Sequence, residues 1–182
     1  MMKTLRMRNI AMALLLSLGF VAYSQAFNAP ILITSAGQSA DVKLVKMLAA
    51  RQKLEAKTVL MATPADLEGI ATMVVVPGFS SKGLGAAGIS QEDEMNRVKE
   101  LVDLANSKGI PIVMMHVGGN ARRQGQSDAF NELIASNSKH MIVVAQGDED
   151  GFFTTISKDK NIPMEVVEKI SETGEPLANL FK

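Results

Sequence analysis

The sequence predicts an α/β protein: a flavodoxin-like (Rossmann-like), doubly wound, mostly parallel sheet of five or six strands. Three observations lead there. Short apolar runs rich in Val and Ile recur along the chain, and most are continuously apolar, the mark of strands buried on both faces. Segments with apolar residues at helical spacing separate them. Glycine-rich polar loops follow several of the runs, where such sheets present ligand-binding residues.

The strands are expected at Ile31 to Thr34, Thr58 to Met61, Met73 to Val76, Ile112 to Met115, Met141 to Ala145 and Met164 to Val167. Between the first two, Val42, Val45, Leu48 and Ala49 share one helix face. Asp66 to Ile70 allows only a turn or two. The longest helix carries Met95, Val98, Leu101, Val102 and Ala105 on one face. Ser90 with Asp93 marks its start as a capping box, and Gly109 marks its end. Ala129, Phe130, Leu133 and Ile134 phase another helix, and Gly151 to Lys160 a further one around Phe152, Phe153 and Ile156. Gly174 and Pro176 break the chain before a last short helix with Leu177, Leu180 and Phe181. Right-handed crossovers then give the strand order 2-1-3-4-5, with ligands expected where the winding reverses, between the first and third strands.

Residues 1–26 read as a secretory signal peptide. Lys3, Arg6 and Arg8 precede an apolar stretch from Ile10 to Val21, and Ser24-Gln25-Ala26 offers small residues to a signal peptidase. The stretch is short for a bilayer core of about 30 Å, which favours cleavage over an uncleaved anchor. No cysteine follows for a lipid anchor, and the arginines are not adjacent as a twin-arginine signal requires. Export by the general secretory route, to the periplasm or beyond, leaves a single α/β domain over 27–182.

Composition narrows the function. After residue 26 the chain has 16 Lys and Arg against 19 Asp and Glu, a poor balance for nucleic acid, whose phosphates need a basic surface. There is no cysteine, so the core alone must hold the domain, although an exported protein could carry disulfides. No Trp is present and the single Tyr, Tyr23, lies in the signal. Sites that stack sugars, bases or flavins recruit such rings, so those ligands are disfavoured. No cofactor is expected.

Three loops could carry chemistry. Ser35-Ala36-Gly37-Gln38-Ser39 leads towards a helix, and amides at a helix start with nearby hydroxyls suit an anion; the plainer reading is a turn with Gln38 or Ser39 as N-cap. The second runs from Pro77 to Gly88. It contains Gly83-Leu84-Gly85-Ala86-Ala87-Gly88, a literal G-x-G-x-x-G. Pro77 to Lys82 separate it from the strand, and no acid ends the following strand, so a dinucleotide fingerprint is rejected, as is a phosphate loop. It reads instead as a mobile flap with Ser80, Ser81 and Lys82 at its base, or as a plain surface loop. The third leaves the fourth strand through His116, Gly118, Gly119, Asn120, Arg122 and Arg123. Its guanidinium forks suit a carboxylate or phosphate, with one arginine expected inward and one solvated. Gly147 to Gly151 adds acids that could cap a helix or hold a metal.

These same strings carry a resemblance. Ile33 to Asp41, Pro77-Gly78 with Ser80 to Gly88, and Met115 to Gly119 with Ala121-Arg122-Arg123 and Ser127-Asp128 resemble a family of small exported bacterial α/β proteins, a domain of unknown function. The resemblance spans essentially all of the chain after residue 26. It implies an exported, compact domain and brings no activity or ligand.

The leading expectation is a binding protein for a small anionic molecule, a carboxylate or phosphate ester. Its site would take Ser35, Gln38, Ser39, Ser80, Ser81, Lys82, His116, Asn120, Arg122 and Arg123. Two alternatives stand beside it. One is a hydrolase joining Ser80 or Ser81 to His116 and Asp148, although no G-x-S-x-G elbow is present. The other is a non-catalytic adaptor for a membrane-protein partner. His116 itself fits a structural hydrogen-bonding role better than acid–base work. Copper at Met114-Met115-His116 is disfavoured because strand methionines usually pack cores. Zinc is disfavoured by two separated histidines and no cysteine.

Overall fold

Six parallel strands lie side by side in the order β2-β1-β3-β4-β5-β6. They are β1 (Ile31–Ala36), β2 (Ala56–Thr58), β3 (Thr72–Pro77), β4 (Ile112–His116), β5 (His140–Val144) and β6 (Met164–Val167). The computed structural model describes residues 27–182, so the signal expected at 1–26 lies outside the described residues. The order is the doubly wound 2-1-3-4-5 arrangement with a sixth strand added. Every residue of β1, β3, β4 and β5 is buried, while the edge strands are half-exposed. This is why the central strands are continuously apolar.

Alternate strand residues serve two cores. Leu32, Met73, Val75, Met114, Met141 and Val143 face one, closed by α3 (Gln91–Ser107), α4 (Gln126–Asn137) and α5 (Phe152–Lys160) through Val98, Leu101, Phe130, Ile134 and Phe153. Ile33, Val74, Val113, Met115 and Ile142 face the other, closed by α1 (Val42–Arg51) and α6 (Gly174–Asn179) through Val42, Val45 and Leu177. The period of two in a pleated strand is thus read directly as two hydrophobic layers. No described helix is long and apolar enough to cross a membrane.

Four local expectations change. The second strand sits at Ala56–Thr58, not Thr58 to Met61, because its register pairs Ile31 with Ala56 and Ile33 with Thr58. By Leu60 the chain has turned, and its carbonyl accepts from the Ser35 amide and hydroxyl. The expected flap after β3 is instead a helix, α2 (Ser81–Ala87), capped by the Ser80 hydroxyl and ended by Gly88 in the left-handed region. Gly174 and Pro176 do not break the chain ahead of the last helix but open it. A proline in the first turn costs nothing there, because its missing N–H would have had no partner. On α4 it is Phe130, Asn131, Ile134 and Ala135 that face inward, while Ala129 is exposed. The capping box of α3 forms as expected, with the Asp93 amide donating to Ser90 Oγ and the Ser90 amide to Asp93 Oδ2.

Phe130 is fully buried, so Phe130→Ala is expected to cost about 3–5 kcal/mol in urea denaturation. Leu44, 37% exposed, should lose less than about 1 kcal/mol on the same change.

Candidate functional site

The winding reverses between β1 and β3, and the loops leaving these strands close the crevice with protein. The Gly78 amide donates to the Ala36 carbonyl and the Ser80 amide to the Gly37 carbonyl, each at 2.8 Å, while Gln38 and Phe79 form a β-bridge. Gly37 has φ +97, and a Cβ there would lie 2.6 Å from the Gly78 carbonyl oxygen. The first turn of α2 rests on the same loop, since a Cβ on Gly83 would come within 2.2 Å of the Gln38 carbonyl oxygen. Only glycine permits these approaches.

Below the loop lies an ion pair that the sequence reading missed. Glu94, fully buried on α3, accepts from the Gly37 amide at 2.8 Å, from Gln38 Nε2 at 2.9 Å, and from Nε and Nη2 of Arg97 at 2.8 and 2.7 Å. Arg97 also donates to the carbonyls of Ser35 and Ala62. A signal for it existed. Glu94 falls on the buried stripe with Val98, Leu101 and Ala105, and a charge on such a stripe with an arginine three residues on signals a buried pair.

The expected site residues divide between interior and rim. Ser35, Gln38 and Ser39 are buried. The Ser35 hydroxyl donates to the Leu60 carbonyl and Ser39 Oγ accepts from the Asp41 amide. Ser39 thus closes a turn before α1, whose N-cap Asp41 has no side-chain cap. Ser80 caps α2, while Ser81 and Lys82 are exposed on its first turn. Asn120 is exposed and donates to Glu149. Arg122 lies across Gly78 and Gly118, with Nε on Asp41 Oδ2 at 3.1 Å and Nη1 on the Phe79 carbonyl at 3.2 Å.

Neither arginine is simply solvated, contrary to the expectation for the pair: their side chains are 27% (Arg122) and 5% (Arg123) exposed. The chain leaves a 3-10 turn (Gly119–Arg122) into extended backbone at Arg123, so the two side chains diverge towards different acids. Arg123 binds Asp128 and Asp150, donates to the Gly147 carbonyl, and stacks 4.4 Å from the Phe152 ring centroid. Burial opposes its charge, but the hydrogen bonds it donates to Asp150 and Asp128 outweigh this and raise its pKa. Those same bonds hold Asp150 down to about 2. A cavity of about 430 Å³ lies elsewhere, beside α1; at this edge a cavity of about 370 Å³ is lined by Asn120, Arg123, Gln124, Glu149 and Asp150.

His116 is fully buried. Nε2 lies 3.2 Å from the Gly119 carbonyl, which can only accept, so the proton belongs on Nε2. The ring packs 4.7 Å from that of Phe153, and a Cβ at Gly147 would come 2.4 Å from Cδ2. Nδ1 has no hydrogen-bond partner among the described residues. Among the described residues no serine hydroxyl bonds to the imidazole, and Asp148 caps α5 by accepting from the amides of Phe153 and Thr154. The hydrolase arrangement of Ser80 or Ser81 with His116 and Asp148 is therefore not brought together among the described residues. Burial pushes the imidazole down to about 4, and nearby Arg123 adds to that against the favourable pull of the Gly119 carbonyl, Asp41 and Asn131. Among the described residues no three His, Asp or Glu side chains converge as a metal site.

Residues 28–181 match the family described as Domain of unknown function (DUF6305). The chain belongs to that family. No curated protein matches this DUF6305 chain. Among solved structures it is similar to the psychrotrophic esterase EstA from Pseudoalteromonas sp., inhibited by monoethylphosphonate, at 16% identity and TM-score 0.32 over 75% of this chain and 76% of that one. A protein assigned as a lipolytic member of the G-D-S-L family from Desulfitobacterium hafniense is 12% identical with TM-score 0.40, over 82% and 98%. A GDSL-like lipase from Bacteroides thetaiotaomicron is 10% identical with TM-score 0.36, over 82% and 83%. At these values no residue role passes to the DUF6305 chain.

The buried groups generate two tests. Glu94→Ala leaves Arg97 buried without its carboxylate and is expected to cost about 3–5 kcal/mol in denaturant unfolding. His116 titrates near 6.5 when unfolded and near 4 when folded. Above pH 6.5 it contributes nothing to the pH dependence. As pH falls from 6.5 to 4 the unfolded chain takes up a proton that the folded one refuses, so stability drops, by about 3 kcal/mol over the window. His116→Gln should flatten that part of the stability–pH curve relative to the unaltered chain.

Proposed function

We propose that this DUF6305 protein is an exported, non-catalytic binding domain that holds a small carboxylate or phosphate ester on the rim of the sheet's carboxyl edge. The observation that carries the reading is the posture of Arg122. It is laid over two glycines and fixed through Nε and Nη1, while Nη2 has no hydrogen-bond partner among the described residues. A guanidinium immobilised in this way loses little freedom on meeting an anion. Lys82 adds a second, solvated cation on α2. The interior serines and Gln38 shape the loops and do not touch the ligand. A small-residue surface on α2, with Gly85 and Ala86 exposed, supports a second reading in which the anion is a side chain of a membrane-protein partner.

Inorganic phosphate and acetate are the probes. At about a hundred times its dissociation constant either should add about 2.7 kcal/mol, a rise of roughly 5–10 °C in Tm. Arg122→Gln is expected to remove the shift and Lys82→Ala to reduce it. p-Nitrophenyl acetate should not be turned over above the buffer rate. Turnover that disappears in His116→Gln would replace the binding reading with the hydrolase one.

A further inference from the structure

A cleft lies away from the carboxyl edge. The last turn of α1 and the edge strand β2 enclose a cleft of about 430 Å³, within the range of small-molecule sites. Its apolar lining comes from Ile33, Ala49, Ala50, Leu54 and Ala56. Thr58 lines it too, and its buried hydroxyl has no hydrogen-bond partner among the described residues. Lys46 and Lys53 stand exposed at the rim with one acid, Glu55, and neither lysine is in an ion pair among the described residues. Four cations and no acid fall between Val42 and Leu54, in a chain that is net acidic after residue 26.

Lys53 is the telling residue. It follows the C-cap of α1 at φ +59, closing a Schellman turn in which its amide donates to Ala50 and that of Leu54 to Ala49. The left-handed position after α2 is Gly88, after α3 Gly109 and after α5 Asn161, the residues that such a position favours. A cation suits the negative end of a helix, but Arg51 already supplies one in the last turn. Helix-ending alone therefore gives no reason for lysine over glycine; an ammonium at the mouth of the cleft does.

We propose that this cleft binds a small amphiphile with a carboxylate head, its apolar chain against Ala49, Leu54 and Ala56 and its carboxylate between Lys46 and Lys53. Octanoate, octan-1-ol and acetate are titrated calorimetrically into residues 27–182, which hold the described six-stranded sheet and the two cores packed on it. Octanoate should bind at least about tenfold tighter than either of the others, since each lacks one half of the recognition. Lys53→Gly is expected to raise the Tm of the free protein by about 2–4 °C by relieving the left-handed lysine. It should weaken octanoate by about fivefold, and adding Lys46→Gln should weaken it further. Octanoate binding no tighter than octan-1-ol, or a Lys53→Gly variant that gains stability with unchanged octanoate affinity, would overturn the proposal. The opposed signs of the two Lys53→Gly readouts separate a ligand contact from a general effect on folding.

Discussion

The Glu94–Arg97 pair beneath the first loop is the constraint on which the carboxyl edge depends. A carboxylate taken wholly out of water is tolerated only when its lone pairs are filled by good donors. Glu94 has four: a backbone amide, the Gln38 amide and two guanidinium nitrogens. Arg97 spends its other donors on carbonyls at the end of β1 and beyond β2. The pair thereby ties α3 to the end of β1, to the loop that follows it and to the segment after β2, on one side of the sheet's winding reversal. Gln38 is held in the left-handed region at φ +61, and from there it can bridge to Phe79 and carry the start of α2.

Filling the reversal point changes what this edge can do. In an open doubly wound sheet the crevice between the two loops receives a ligand; here the loops receive each other. What remains accessible is a rim, and on it both arginines already meet carboxylates. Arg122 is answered by Asp41, and Arg123 by Asp128 and Asp150. Arg123, pressed against Phe152 and Phe153, joins the loop after β4 to the loop after β5 as a structural strut. His116 sits behind that strut, fully buried, and burial holds its imidazole well below the ordinary histidine range.

Glycine identity in the loops follows from the same packing. Gly37, Gly78, Gly83, Gly118 and Gly147 each face an atom that a Cβ would press or strike. A literal G-x-G-x-x-G in α2 is thus a packing and capping pattern: Gly83 meets Gln38, Gly88 ends the helix, and Gly85 faces open space. Cofactor fingerprints and tight loop packing ask for the same residue, which is why the letters alone carry so little.

The sequence by itself determined the class of fold, the central strands, the two-faced burial and the capping of α3, because these depend on local periodicity and on donors a few residues apart. It also named the loops at the sheet's edge. Only the tertiary structure decided what those loops do. Whether Ser35 faces a ligand or the Leu60 carbonyl, and whether Arg123 meets an anion or Asp150, depends on groups 25 and 27 residues away in the chain. The edge strand β2 moved for the same reason: its position is set by register against β1, not by its own weak apolar run. Polar side chains announce that hydrogen bonds will form, but the partner is chosen by which segments the fold brings within about 3 Å.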